Sequence, residues 1–346
     1  MNLISARYAF ISAYLKGEEA RGITSGHIGE IVQRSANMQD ALEIIRDTDI
    51  GEYLLDQPIK TFDDADEYLW IYMDECLKRL ERFKTPPDML RMASLYVEKY
   101  DVLNIRIALR ILSRRELSSM VPLGAIHNRG YLKEMSAARE REEISGILAR
   151  CDLGDYGRLI MDIKEKDRQA VSEGEIRLQN IHHQKLLEAF KDMDDGDLLV
   201  KTFRIIIDLA NLQTVFRLSL GGGYPATGVQ VLSGGRMLPE NTIRELLTLK
   251  MTEITGRLEN TGYHMMAQDV SKSYERDGKI TASDKITEKH KFRLLKDLLS
   301  PRVLSSSNML WYLLLKELEI RNLRLTFKML SDGIPAAEIQ DLVIAA

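Results

Sequence analysis

Apolar residues along this chain recur at intervals of three and four, the spacing of one helix face, rather than at alternate positions as on a half-buried strand. Leu69 to Arg82, Ala137 to Ala149, Gln184 to Met193 and Met309 to Leu330 carry this spacing and are predicted to be helical. Pro58, Pro86, Pro87, Pro122, Pro225, Pro239, Pro301 and Pro335 fall near the apparent ends of such stretches, where a missing N–H stops a helix. Asp63-Asp64-Ala65-Asp66-Glu67 reads as an acidic helix start, favoured by the helix dipole. No run of strands emerges. Leu220 to Pro239, with Gly221-Gly222-Gly223 and Gly234-Gly235, reads as one loop-rich connection. The predicted fold class is therefore all-α.

One pattern occurs three times. Asp101-Val102-Leu103-Asn104-Ile105-Arg106-Ile107-Ala108-Leu109-Arg110, the segment Asp208 to Arg217, and Glu319 to Lys328 all fit acid-x-x-Asn-[Ile/Leu]-x-x-x-[Leu/Phe]-base. Asn104, Asn211 and Asn322 are spaced by 107 and 111 residues. A second marker precedes each copy: Ile45 to Ile50, Leu148 to Leu153 and, more loosely, Leu258 to Tyr263. From its Thr or Cys to the asparagine the distances are 56, 60 and 61 residues. Two patterns recurring in one order at nearly one period point to triplication, with helical repeats at 1–125, 126–235 and 236–346.

On a helix, Val102, Ile105 and Leu109 form one apolar stripe, as do Leu209, Leu212 and Phe216, and Ile320, Leu323 and Phe327. The acid and the asparagine share a different face. Three readings of the asparagines stay open: a bond to backbone exposed at a neighbouring helix end, ordinary polar surface, or contact with a partner protein. Arg110, Arg217 and Lys328 are equivalent by repeat and read as partner contacts or internal salt-bridge partners.

The 346 residues carry a net charge of -4, without the basic excess of a dedicated nucleic-acid binder. Cys76 and Cys151 make neither a disulfide framework nor a zinc site, and a reducing compartment is expected. The start lacks a signal-peptide core, and apolar runs such as Met309 to Leu315 are too short to span a membrane. The glycine segments Gly221-Gly222-Gly223-Tyr224-Pro225 and Ser233-Gly234-Gly235-Arg236 lack the Gly-Lys-Ser/Thr ending of a P-loop. Asp192 to Asp197 has its glycine and its twelfth residue in the wrong places for an EF-hand, and reads as a turn with Asp197 capping the next helix. His182 and His183 point about 100° apart on a helix, which suits no shared metal. Neither HExxH nor GxSxG occurs, and no paired Asp-Asp-x-x-Asp motif marks a magnesium-dependent helical enzyme. Basic clusters at Ser113-Arg114-Arg115-Glu116 and Lys285 to Lys296 are interleaved with acids and read as solvated helix faces, or as docking patches for an acidic protein or for membrane headgroups.

The repeated segments also carry a family resemblance. Lys316 to Leu325, followed by Lys328, Gly333, Ile334, Pro335, Glu338 and Ile339, resembles the closing motif of the C subunit of the A-type/V-type rotary ATPases. Asp101 to Arg110 and Asp208 to Arg217 resemble its earlier echoes, and Leu42 to Ile50 and Leu258 to Tyr263 resemble the family's Leu-x-x-Thr-x-Tyr element. Tyr8 sits where the family tends to carry an aromatic. Ile50, Cys151 and Leu153 depart from the pattern, and Gly221 to Pro239 is a larger glycine-rich insertion than the family leads one to expect.

The resemblance implies a funnel of three similar helical domains around a pseudo-threefold axis. It implies a central-stalk adaptor, peripheral on the cytoplasmic face of the membrane. Its partners would be the D and F subunits of the rotor shaft and the membrane proteolipid ring, between which it passes torque for ATP-linked ion transport. Neither nucleotide nor nucleic acid is bound, no cofactor or metal is implied, and there is no catalytic residue; the eukaryotic counterpart is the d subunit of the vacuolar ATPase. Asp101, Asn104, Arg110, Asp208, Asn211, Arg217, Glu319, Asn322 and Lys328 are the structural or interface candidates. The competing reading is a generic helical-repeat scaffold for binding proteins.

Overall fold

A computed structural model describes residues 3–114, 119–164, 168–223, 226, 228–335, 338 and 342–344. Among them there are helices and no strands. In chain order the helices are α1 (Leu3–Ala20), α2 (Ser25–Arg34), α3 (Met38–Ile44), α4 (Asp49–Leu55), α5 (Phe62–Arg82) and α6 (Pro87–Arg114). There follow α7 (Ala125–Asn128), α8 (Leu132–Ala137), α9 (Arg141–Arg150), α10 (Gly154–Asp162), α11 (Arg168–Lys191) and α12 (Gly196–Leu220). The last are α13 (Glu240–Leu246), α14 (Met251–Arg257), α15 (His264–Asp277), α16 (Thr281–Leu299) and α17 (Ser306–Ser331). Short helices thus alternate with pairs of long ones.

Local chemistry fixes many of the boundaries. Thr24, Asn37, Thr48 and Thr61 each accept an N–H from the first turn of the helix they precede, satisfying donors that have no partner inside the helix. The acidic run is the start of α5 as the pattern predicts, with Asp64 returning a bond to the Thr61 N–H at 2.9 Å. The connection from Gly221 to Pro239 is non-helical at each of its described residues. Tyr224 and Pro225 lie outside the described residues, as do Arg115, Glu116 and Ile339.

Two expectations need correction. The stretch Ala137 to Ala149 is not one helix, because α8 ends at Ala137 and α9 begins at Arg141. Between them the Glu143 carboxylate accepts the Arg139 N–H at 2.7 Å, giving the backbone an alternative to the helical ladder. Asp197 is not a cap. Helix α12 begins one residue before it, at Gly196, and Asp195 stands at the cap position in a left-handed conformation, φ 58°, without a side-chain capping hydrogen bond.

The chain divides into two compact units, residues 1–93 with 281–346 and residues 94–280, the first boundary falling within α6. In the first unit α17 is the axis, packed against α1, α2, α3, α5 and α16. It buries Trp311, Tyr312, Leu313, Ile320, Leu323 and Phe327. In the second unit α6 contributes Val102, Ile105 and Leu109 to a core shared with Ile144, Leu148, Tyr156 and Leu178. There α11 packs on α12, α9 on α10, and α12 on α13 and α14. All nine residues of the three predicted stripes are buried. No helix among the described residues is long and apolar enough to cross a membrane.

Phe216 is fully buried on α12, so Phe216→Ala should cost about 3–5 kcal/mol in urea-unfolding free energy. An unchanged midpoint would show that the α12 stripe is not a packed core.

Candidate functional site

The three asparagines are buried, which excludes ordinary polar surface. Each makes the same pair of bonds. Asn104 donates through Nδ2 to the Val121 carbonyl and accepts the Val121 N–H at Oδ1, both at 2.8 Å. Asn211 does this to Leu232, both at 2.9 Å. Asn322 does it to Ile344, at 2.8 and 3.3 Å. The partner lies 17, 21 and 22 residues downstream of the respective asparagine. An amide side chain matches a peptide unit donor for acceptor, so one residue satisfies both backbone groups of a chain that passes a helix without joining its ladder.

The acids one turn earlier also bind backbone. Asp101 accepts the Ala125 and Ile126 N–H groups, both at 2.9 Å, at the start of α7. Asp208 accepts those of Arg236 and Met237 at 3.1 and 2.8 Å. Glu319 accepts the Ile23 N–H at 3.0 Å, just before α2. In each case a glycine precedes these donors: Gly124, Gly235 and Gly22. A Cβ at any of them would overlap the carboxylate, so the close approach requires glycine. Motif and glycine together form a joint that fastens a set of short helices, a cap, to a long helix. The first two joints hold the segment that follows their helix. The third holds the segment near the other end of the chain.

The marker at Leu258 to Tyr263 meets the second joint. The Tyr263 hydroxyl donates to Asp208 Oδ2 at 2.7 Å. Thr48 and Thr261 close the same local turn, each donating at 2.7 Å to the carbonyl three residues back, Ile45 and Leu258. Where Tyr263 has its hydroxyl, the other copies have Leu153 and Ile50, both buried and apolar.

Burial shapes the charges. Desolvation pushes the Asp101 carboxyl up to about 6, against the two backbone bonds and Lys185, which favour the anion, and with Glu98, which does not. Burial likewise raises Asp208, opposed by its backbone bonds and by Tyr263, and it raises Glu319, opposed chiefly by Lys316. Lys316 is 2 % exposed. Its Nζ lies 3.1 Å from Glu319 Oε2 and 3.8 Å from Glu18 Oε2, and donates to the Tyr72 hydroxyl at 3.2 Å. Its own pKa is raised, because the neighbouring carboxylates outweigh a burial that would lower it.

The three bases diverge. Arg110 pairs with the buried Glu175 at 2.5 Å, alongside Arg106 at 3.1 Å. Lys328 pairs with Asp332, the residue just past the end of its own helix, at 2.8 Å. Arg217 lines a groove of about 630 Å³ with Arg106, Gln169, Glu173, Gln179 and Thr214. One turn nearer the asparagine, Arg324 pairs with Asp66 and lies over the Trp70 ring. His182 and His183 are largely buried, and burial lowers both to about 4; His182 Nε2 lies 2.9 Å from the Leu95 carbonyl. Among the described residues no group of three or more His, Cys, Asp or Glu could hold a metal ion. The sequence reading missed Lys316, Glu18 and the three glycines. The glycines had a usable signal, each standing immediately before the backbone donors, but only the fold shows which acid they face.

Asn211→Ala leaves a buried N–H and a buried carbonyl of Leu232 without their partner. It should cost about 2–4 kcal/mol, read from chemical denaturation; a loss below about 0.5 kcal/mol would contradict this role. Asp101 binds its proton more tightly folded than unfolded, so between about pH 4 and 6 it makes the protein lose stability as pH rises. Asp101→Asn should abolish that component. The stability of the variant relative to the natural protein should therefore improve between pH 4.5 and pH 7.5, by at most about 3 kcal/mol, and a pH-independent difference would refute the assignment.

Comparison with known proteins places this architecture. The family model described as ATP synthase (C/AC39) subunit matches residues 11–342. The C subunit of the A-type ATP synthase of Pyrococcus abyssi is 24 % identical over 97 % of this chain and 90 % of its own length. That of Methanocaldococcus jannaschii is 22 % identical over 98 % and 87 %, and that of Desulfurococcus sp. is 26 % identical over 97 % and 90 %. From residue 11 of α1 to the end of α17 the described helices all lie within the match: the chain belongs to the ATP synthase (C/AC39) subunit family.

Proposed function

We propose that this chain serves as the C subunit of an A-type rotary ATP synthase, a non-catalytic central-stalk adaptor. It couples a shaft made of the D and F subunits to the membrane proteolipid ring and transmits torque for ATP-linked ion transport, from the cytoplasmic face of the membrane. The observation that carries this reading is the near end-to-end match to proteins named as the C subunits of A-type ATP synthases, which covers about nine-tenths of their length as well. We further propose that its mass is three copies of one helical unit around a pseudo-threefold axis. The recurrence of one buried asparagine bond and one acid–glycine contact in each copy supports that part.

The physics suits the task. A torque adaptor must resist shear, and helices closely packed along apolar stripes have low compressibility. Polar bonds to backbone at each joint add direction to that packing, since a hydrogen bond weakens steeply when its angle changes.

The purified chain, mixed with the two shaft proteins and separately with the proteolipid ring of its own organism, should co-elute with each in size-exclusion chromatography at low and moderate salt. Failure to bind either would overturn the adaptor reading.

A further inference from the structure

We infer that α1 and the buried Glu18–Lys316–Glu319 cluster form a clasp that fastens the chain's N-terminal cap, α2 to α4, onto its C-terminal helix α17, in place of the short tether that the other joints possess. The three joints differ in how far apart their partners lie. Asp101 and Asp208 hold backbone donors 24 and 28 residues away, so the intervening chain keeps each cap beside its helix even when the bonds break. Glu319 holds a donor 296 residues away. For a flexible chain, closing a loop of that length instead of 24 residues gives a roughly forty-fold lower effective concentration of the two partners. With the same bonds alone, the third joint would open far more readily than its counterparts.

The third copy carries what the others lack. Three residues before the acid, Lys316 stands where the first copy has Glu98 and the second Ile205. Its ammonium is buried between Glu319, which holds Ile23, and Glu18, at the end of α1. Around it, the Tyr312 hydroxyl donates to Glu18 at 3.4 Å, Tyr14 donates to Glu18 at 2.8 Å, and Arg79 lies 3.5 Å from the same carboxylate. Trp311 Nε1 donates to Glu19 at 3.2 Å. Contacts from Glu18 to Ile23 meet α17 between Trp311 and Glu319, so the end of α1, packed on α17, delivers Gly22 to Glu319. A buried cation flanked by two carboxylates is costly to break, because removing it strands like charges out of water. The clasp is therefore local to this joint and strong for its size.

Native-state hydrogen exchange of the full chain in low denaturant, read by mass spectrometry, tests this. In Lys316→Met, peptides covering Ile23 to Leu55 should exchange at least tenfold faster, while those covering Leu232 to Met237 keep their natural rate. In the natural protein, the Ile23 to Leu55 block should open as one sub-global unit, independently of the Leu123 to Ile126 and Leu232 to Met237 segments. Unchanged exchange at Ile23 in the variant, or equal acceleration in all three segments, would overturn the clasp. If the variant does not fold, the natural protein decides. Opening of all three segments only together, with one free energy, would overturn it equally.

Discussion

Everything else in this molecule depends on how a long helix holds backbone that is not part of it. A short helix packed on a long one brings its connecting peptides into a buried position, where an unpaired N–H or carbonyl costs about 1–3 kcal/mol. Asn104, Asn211 and Asn322 answer this with an amide that mimics a peptide. Asp101, Asp208 and Glu319 answer it with a carboxylate that collects the free donors at the start of the next segment. Because both answers come from one helix face, one turn apart, they fix the path of the following chain as well as its contact. The apolar stripe supplies most of the free energy, but it is tolerant of sliding; the two polar residues set the register.

The electrostatics follow from the same geometry. Each acid is drawn into the interior by the backbone it serves, and burial raises its affinity for a proton. What differs is the compensation: two N–H groups for Asp101, N–H groups and the Tyr263 hydroxyl for Asp208, and one N–H plus the Lys316 ammonium for Glu319. The same backbone-binding role is thus kept three times, with a different supporting partner in the second and third copies. In this fold the recurring polar chemistry sits at the seams between packed helices.

The bases show how far equivalence by repeat extends. Arg110 reaches across to Glu175 on α11, Lys328 pairs with Asp332 just past the end of its own helix, and Arg217 borders a groove. Positions that face one recurring geometric problem within this chain keep one solution three times. Positions at the rim, where solvent screens charge and several partners are within reach, drift apart.

The sequence by itself determined the all-helical class, the acidic start of α5, the loop-rich connection after α12 and the burial of the three stripes. These depend on interactions within a few residues, which spacing records directly. It also brought the acids and asparagines forward as a set, though it left their role open among packing, surface and partner. The break between α8 and α9 and the true start of α12 escaped it, because a side-chain bond to Arg139 and a left-handed Asp195 override helical spacing. Only the tertiary structure decided which backbone each acid grips, that Gly22 belongs with Glu319, and that Lys316 is buried between two carboxylates. Those facts join residues as much as 298 positions apart, and the interaction of two side chains at such a separation leaves no periodic trace: it is the direct packing of α1 on α17 that brings them together.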